Sequence, residues 1–171
     1  MSMVFRSWDS KSLLLAQIAK GPNSILIGED IEAPRGYYSH AFTSSESALQ
    51  VGILVNQEKV PSVLSIPWAA LLFFGYDDSI SVVDTANGVL VKTLRLEGQF
   101  FEFLVLDELQ QILVMHELGC VALTNQGNVI WRHSSDDILE DWSTTDEELH
   151  LSEMGRSKPV TLSLKTGTQS S

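Results

Sequence analysis

Cysteine is nearly absent: Cys120 is the only one in 171 residues. One thiol excludes an internal disulfide and a multi-cysteine metal site. Bases are scarce too, with 11 Lys and Arg against 22 Asp and Glu and a net charge of −11. That balance lacks the positive footprint needed on nucleic-acid backbones or anionic lipid, so no nucleic acid and no membrane is expected as a partner. Long apolar runs are missing as well. The longest, Ala69 to Phe74 and Ile112 to Met115, fall far short of the roughly 18–20 residues of a membrane helix. Leu13 to Ala16 is shorter than the roughly 7–15 residues of a secretory core and follows Asp9, so a cytoplasmic protein is expected. No Gly-x-x-x-x-Gly-Lys, Gly-x-Gly-x-x-Gly or Gly-x-Ser-x-Gly occurs to cradle a phosphate or carry a nucleophile. The four histidines, His40, His116, His133 and His150, show no zinc spacing, and His116-Glu117-Leu118-Gly119-Cys120 ends in Cys where a His-Glu-x-x-His site needs His. No metal or cofactor is expected.

What is present is 44% hydrophobic residues and 19% charged ones, the make-up of a folded domain. The length predicts a single domain over 1–171. Residues 10–20 predict one short helix, capped by Asp9 or Ser10, stopped by Gly21 and Pro22, with Leu14, Leu15 and Ile18 on one face. After it the pattern is strand and turn. Apolar runs at Ser24 to Gly28 and Ala48 to Val55 predict strands, Gly52 marks a bulge, and Tyr37, Tyr38 and Phe42 fall on a strand between them. Residues 43–47 read as a loop, and Pro61 and Pro67 keep their segment off the centre of a sheet. Residues 1–68 thus form a less regular N-terminal part, and 69–171 a β-repeat part.

The repeat appears when the chain is shifted by 39 residues. Val82 to Gly88 falls on Val121 to Gly127, Phe73-Phe74 on Ile112-Leu113, and Asp107-Glu108 on Asp146-Glu147. A weaker third copy runs through Leu149 to Leu151 and Leu162 to Gly167. A period near 40 suits four-stranded units, since one twisted sheet needs neighbours to cover its faces. The fold class is therefore mainly all-β: propeller-like or sandwiched antiparallel repeats with one N-terminal helix. An early strand pairing onto the last would close such a ring. Otherwise the sheet stays open, its edge covered by the helix or by a second copy.

The segment from Ile112 to Arg132 resembles the pyrroloquinoline-quinone-type propeller repeat: a strand, a turn, a strand ending in Ala122-Leu123, a Gly turn at Gly127, then a strand closing on Trp131. The resemblance extends over residues 70–167 and implies that Trp131 packs between adjacent blades. The middle copy has Leu118-Gly119 where the family has Asp-Gly, and the first copy has Val91-Lys92 where Trp is expected. Nothing matches a quinone pocket, so the resemblance implies fold and not activity.

Charge is uneven along the chain. Residues 1–95 carry a net of −2 and residues 96–171 a net of −9. Eight acids and no base lie between Asp136 and Glu153. Such a segment is either a solubilising face or a surface that speeds encounter with a basic protein. The candidate binding residues are Trp142, Asp136, Asp137, Glu140, Asp141, Asp146 and Glu147. Trp142, ringed by carboxylates, either anchors a basic partner or packs on its own blade from an outer loop. The expected function is a non-enzymatic binding or scaffold module, immunity-type proteins being one version. The alternative is a small-ligand binder or hydrolase using His116, His133, Asp77 and Asp78 in loops at one end of the repeat. A homo-oligomer that completes the propeller is a third arrangement. Cys120 reads as a small buried hydrophobe.

Overall fold

The computed structural model describes residues 2–21, 23–43 and 48–169. The predicted loop at 44–47 and the helix stop at Pro22 lie outside them. The chain forms two compact units, Met1–Leu94 and Arg95–Ser171.

The first unit opens with β1 (Ser2–Ser7), helix α1 (Lys11–Ile18), β2 (Ser24–Ile27), β3 (Gly36–Thr43) and β4 (Ala48–Val55). They make a sheet in the order β1-β3-β4-β2, antiparallel except for the β2–β4 pair. The parallel pair needs a crossover to bring the chain back in the same direction. Helix α1 packs on the sheet, where Leu14 and Ile18 are buried with Leu54. The Ser10 side chain accepts a bond from Leu13 N and caps the helix. Leu15, expected on the buried face, is exposed, because only the narrow Leu14–Ile18 stripe meets the sheet.

Gly52 is not a bulge: it pairs in unbroken register with Leu26 and Ser39. A side chain there would meet Leu26 Cδ1 at 3.0 Å and Ile18 Cδ1 at 3.2 Å, so this glycine makes room for the helix. β1 pairs with β3, so the early strand is used inside its own sheet.

The unit continues with β5 (Ser62–Ile66), β6 (Leu71–Tyr76), β7 (Ser79–Asp84) and β8 (Val89–Arg95), paired in chain order. β5 is an edge strand bracketed by Pro61 and Pro67, and it starts this sheet ahead of the 68/69 division read from the pattern. Ile25, Ile27, Phe42, Val51 and Ile53 of the first sheet and Leu72, Phe74 and Val83 of the second belong to one core.

The second unit repeats the meander. β9 (Phe100–Leu106), β10 (Gln111–His116), β11 (Gly119–Thr124) and β12 (Val129–Ser134) pair in chain order, followed by β13 (Leu139–Thr144), β14 (Glu148–Glu153) and β15 (Val160–Ser163). β13 lacks the apolar pattern of the other strands: it is rich in carboxylates and hydroxyls, and its only buried residue is Leu139. Strands β6, β7 and β8 recur as β10, β11 and β12 after 40 residues, whereas the turn glycines Gly88 and Gly127 are 39 apart. The turns explain the difference. Gly88 N bonds Asp84 O, Gly127 N bonds Thr124 O one residue closer, and Asn128 restores the count before β12. Ala70 and Gln110, 40 apart, share a positive φ of 52° and 53° ahead of β6 and β10. The fold is thus mainly β, with antiparallel repeats of about 40 residues and one short helix.

Trp131 is buried in the core of this unit among Leu139, Leu149, Leu151 and Leu162 of the last sheet. Its indole Nε1 donates to Leu164 O at 3.1 Å. It fills the space between two successive sheets, the role that the repeat resemblance implied.

Candidate functional site

The acidic run lies on and around β13, an edge strand. Leu139 pairs with Glu153 and Asp141 with Ser152, leaving Glu140 as the extra residue of a bulge. A bulge and exposed carboxylates are how edge strands are kept from pairing with other chains. Strand Leu139–Thr144 spans about 17 Å at roughly 3.3 Å per residue, so the acids before and after it sit at opposite ends.

At the near end, Arg156 bridges two carboxylates. Its Nη2 lies 2.7 Å from Asp136 Oδ2 and its Nη1 3.0 Å from Glu153 Oε2. Glu153 is the one buried acid among the described residues. Asp137 turns back on the chain, its Oδ1 accepting from Ile138 N at 2.8 Å.

In the middle, Trp142 is half-buried. Its ring stacks on Phe101 with centroids 5.5 Å apart and planes 10° from parallel, and its Nε1 donates to Glu102 Oε1 at 2.7 Å. It stands on a strand and not on an outer loop. Glu140 and Asp141 are exposed beside it, and Asp141 Oδ1 accepts from Trp142 N at 2.9 Å.

At the far end, Asp146 and Glu147 line a shallow cleft of about 300 Å³ with Leu109, Ser163, Leu164 and Lys165. Glu147 O receives Leu164 N at 2.9 Å, which ties the cleft wall to the end of β15. The seven candidate residues therefore form three groups along one strand.

The residues of the alternative reading are divided between the two units. Asp77 and Asp78 belong to the first unit, where the Asp77 carboxylate accepts from Asn56 N at 2.7 Å and Gln57 N at 3.2 Å. His116 and His133 share the β9–β12 sheet, but His116 pairs with Gly119 and His133 with Cys120, adjacent positions on β11. Adjacent strand positions face opposite ways, so the two rings point to opposite faces. Burial lowers the pKa of both. Cys120 is fully buried, its thiol pushed up to about 12 by desolvation, far from a reactive thiolate. No three His, Cys, Asp or Glu side chains among the described residues gather as metal ligands would, and no helix there is long and apolar enough to cross a membrane.

Sequence reasoning missed Phe101, Glu102, Glu153 and Arg156. Glu102 and Trp142 stand 40 residues apart on β9 and β13, so the repeat itself carried the signal for that pair. Glu153 alternates with Leu149 and Leu151, and the period of two places it on their buried face.

No family model matches the chain, and no curated protein sequence matches it. Among solved structures, the chain is similar to apo AztD from Citrobacter koseri, at 14% identity over 88% of this chain and 46% of that one, with a TM-score of 0.49. It is similar to BamB from Moraxella catarrhalis, at 15% identity over 80% and 43% of the two chains, with a TM-score of 0.46. The Pan2 WD40 domain of Neurospora crassa gives 12% identity over 80% and 48%, with a TM-score of 0.43. The chain spans less than half the length of each of these three structures.

Proposed function

We propose that the chain is a non-enzymatic protein-binding or scaffold module of propeller-like β repeats, whose second unit docks a basic protein along β13. The observation that carries this reading is the state of the acids on and beside that strand. Asp136, Asp137, Glu140, Asp141, Asp146 and Glu147 are all exposed, on or beside a strand whose Trp142 is pinned by Phe101 and Glu102. Exposed like charges on a rigid support steer an oppositely charged partner and raise its association rate. The three separate groups favour an extended basic surface over a single point charge.

The test uses tagged wild-type protein and a variant with those six acids changed to Asn or Gln. Proteins captured from the native cell by the wild type are identified and purified, and their association is timed at two salt concentrations. The expected result is at least a tenfold slower association for the variant, with a flattened salt dependence. Equal capture and equal rates would overturn the reading and return the run to a solubilising face.

A further inference from the structure

The first sheet ends on a strand that nothing blocks. β1 stands at the edge of the order β1-β3-β4-β2, so its outer backbone groups pair with no strand among the described residues. Such a row is a template for another strand, and proteins blunt it with short length, proline, charge or a bulge. The other edge strands among the described residues carry these devices. β2 and β15 are four residues long, and Gln169 bridges to Leu162 of β15. Prolines bracket β5, and β8 carries Lys92 and Arg95. One extra residue bulges β9 at Phe101, β12 at Ile130 and β13 at Glu140. β1 has no proline, and all six of its residues pair with β3 in unbroken register.

This edge is also apolar where it is open. Met3 is 51% exposed, Val4 47% and Phe5 41%. Met3 and Phe5 pair with Phe42 and His40, on the face of the first core, and Val4 pairs with Ala41 on the face where α1 and Tyr37 lie. The Phe5 ring sits 4.9 Å from that of His40 and 5.6 Å from that of Tyr38, so a row of core rings runs out into solvent at β1.

The strand matches itself. Turned about a twofold axis through Val4, perpendicular to the sheet, two copies of β1 run antiparallel. Val4 then meets its own counterpart, Met3 meets Phe5 of the second copy, and Arg6 meets Ser2 of the second copy. Opposed residues share a face, so the Met3–Phe5 pairs continue the row of rings and the valines pair on the helix side. Arg6 is the one charge on the strand, and the two arginines stand four residues, about 13 Å, apart along it, beyond the roughly 8 Å screening length at physiological salt. Residues 1–95 carry a net of −2 against −9 for the rest, so two copies repel least through this half of the chain. We infer that two copies of the chain join through β1 about this axis, fusing two four-stranded sheets into one. The interface belongs to the first unit and stands whether or not β13 docks a partner.

Sedimentation of the full chain and cysteine cross-linking test it. The wild type is expected to sediment at twice the chain mass. V4K sets two lysines opposite each other at an exposed position, so the melting curve is unchanged while dimerisation weakens about tenfold or more. V4C is expected to form an intermolecular disulfide under mild oxidation, since opposed Cα atoms in an antiparallel pair lie about 4.5–5.5 Å apart. M3C cross-links about tenfold more slowly or less, because its counterpart stands two residues, about 7 Å, out of line. Cys120 is fully buried and does not compete. Should V4K lower the melting point, the ratio of V4C to M3C still decides the question. A wild type that stays monomeric at every concentration, a dimer indifferent to V4K, or V4C no faster than M3C would overturn the inference, and the first of these would leave β1 to a strand of another protein.

Discussion

The two sheets of the second unit follow the same chain rhythm and reach different surroundings. Every residue of β10, and Gly119 to Leu123 of β11, are buried, so the hairpin is covered on both faces. In the next sheet, Leu149, Leu151, Val160 and Leu162 are buried, while Glu148, His150, Ser152, Thr161 and Ser163 stand half-exposed on the other face. A continuous apolar run marks a strand covered twice, and strict alternation marks one covered once. The second sheet thus has the one-sided polarity of a capping repeat. A parallel contrast holds for the buried titratable groups. His40, in the first unit, lies among the rings of Phe5, Phe42 and Phe74 with both nitrogens unpartnered, whereas Glu153 has an arginine.

The sharpest way to break the sheet contrast is Trp131→Ala. Trp131 fills the space between the two sheets, and a side chain on Gly167 would come within 2.6 Å of its ring. Removing it leaves a cavity that the strands cannot close and an unpaired carbonyl at Leu164. A loss of about 3–5 kcal/mol is expected in urea unfolding.

The contrast between buried groups predicts a pH dependence. Burial lowers His40 to about 4. The unfolded chain therefore takes up the proton near pH 6.5, while the folded one resists it down to about 4. The stability from neutral His40 is full above pH 6.5 and falls as pH drops through that window, by about 3 kcal/mol in all. His40→Leu should erase that part of the slope, read as the difference between variant and wild type in unfolding at pH 7 and pH 4.5. An unchanged slope would mean that the imidazole is hydrated.

The smallest effect separates a sheet covered by a helix from one covered by another sheet. Gly52→Ala, under α1, places a methyl 3.0 Å from Leu26 and 3.2 Å from Ile18. A loss of about 1–2 kcal/mol is expected in thermal unfolding. Stabilisation would mean that the helix moves freely enough to admit the methyl.

Much of the fold was legible because its signals are local. Apolar runs at β6, β7, β10 and β11, the turns at Gly88 and Gly127, and the Ser10 cap each depend on a few neighbouring residues. β13 was not legible, since Glu140, Asp141, Ser143 and Thr144 face water and only Leu139 and Trp142 hint at a buried side. The candidate site was legible as composition and not as geometry: the acids were named, but their division into three groups follows from a strand invisible in the pattern.

The sequence by itself determined the β repeats, the short helix and the charge asymmetry, because periodicity and composition are properties of adjacent residues. Only the tertiary structure decided that Glu102 meets Trp142, that Arg156 joins Asp136 to Glu153, and that Gly52 serves a helix. Each of those pairings spans strands or turns whose register is set by burial of the whole sheet, so no local stretch of the chain specifies it.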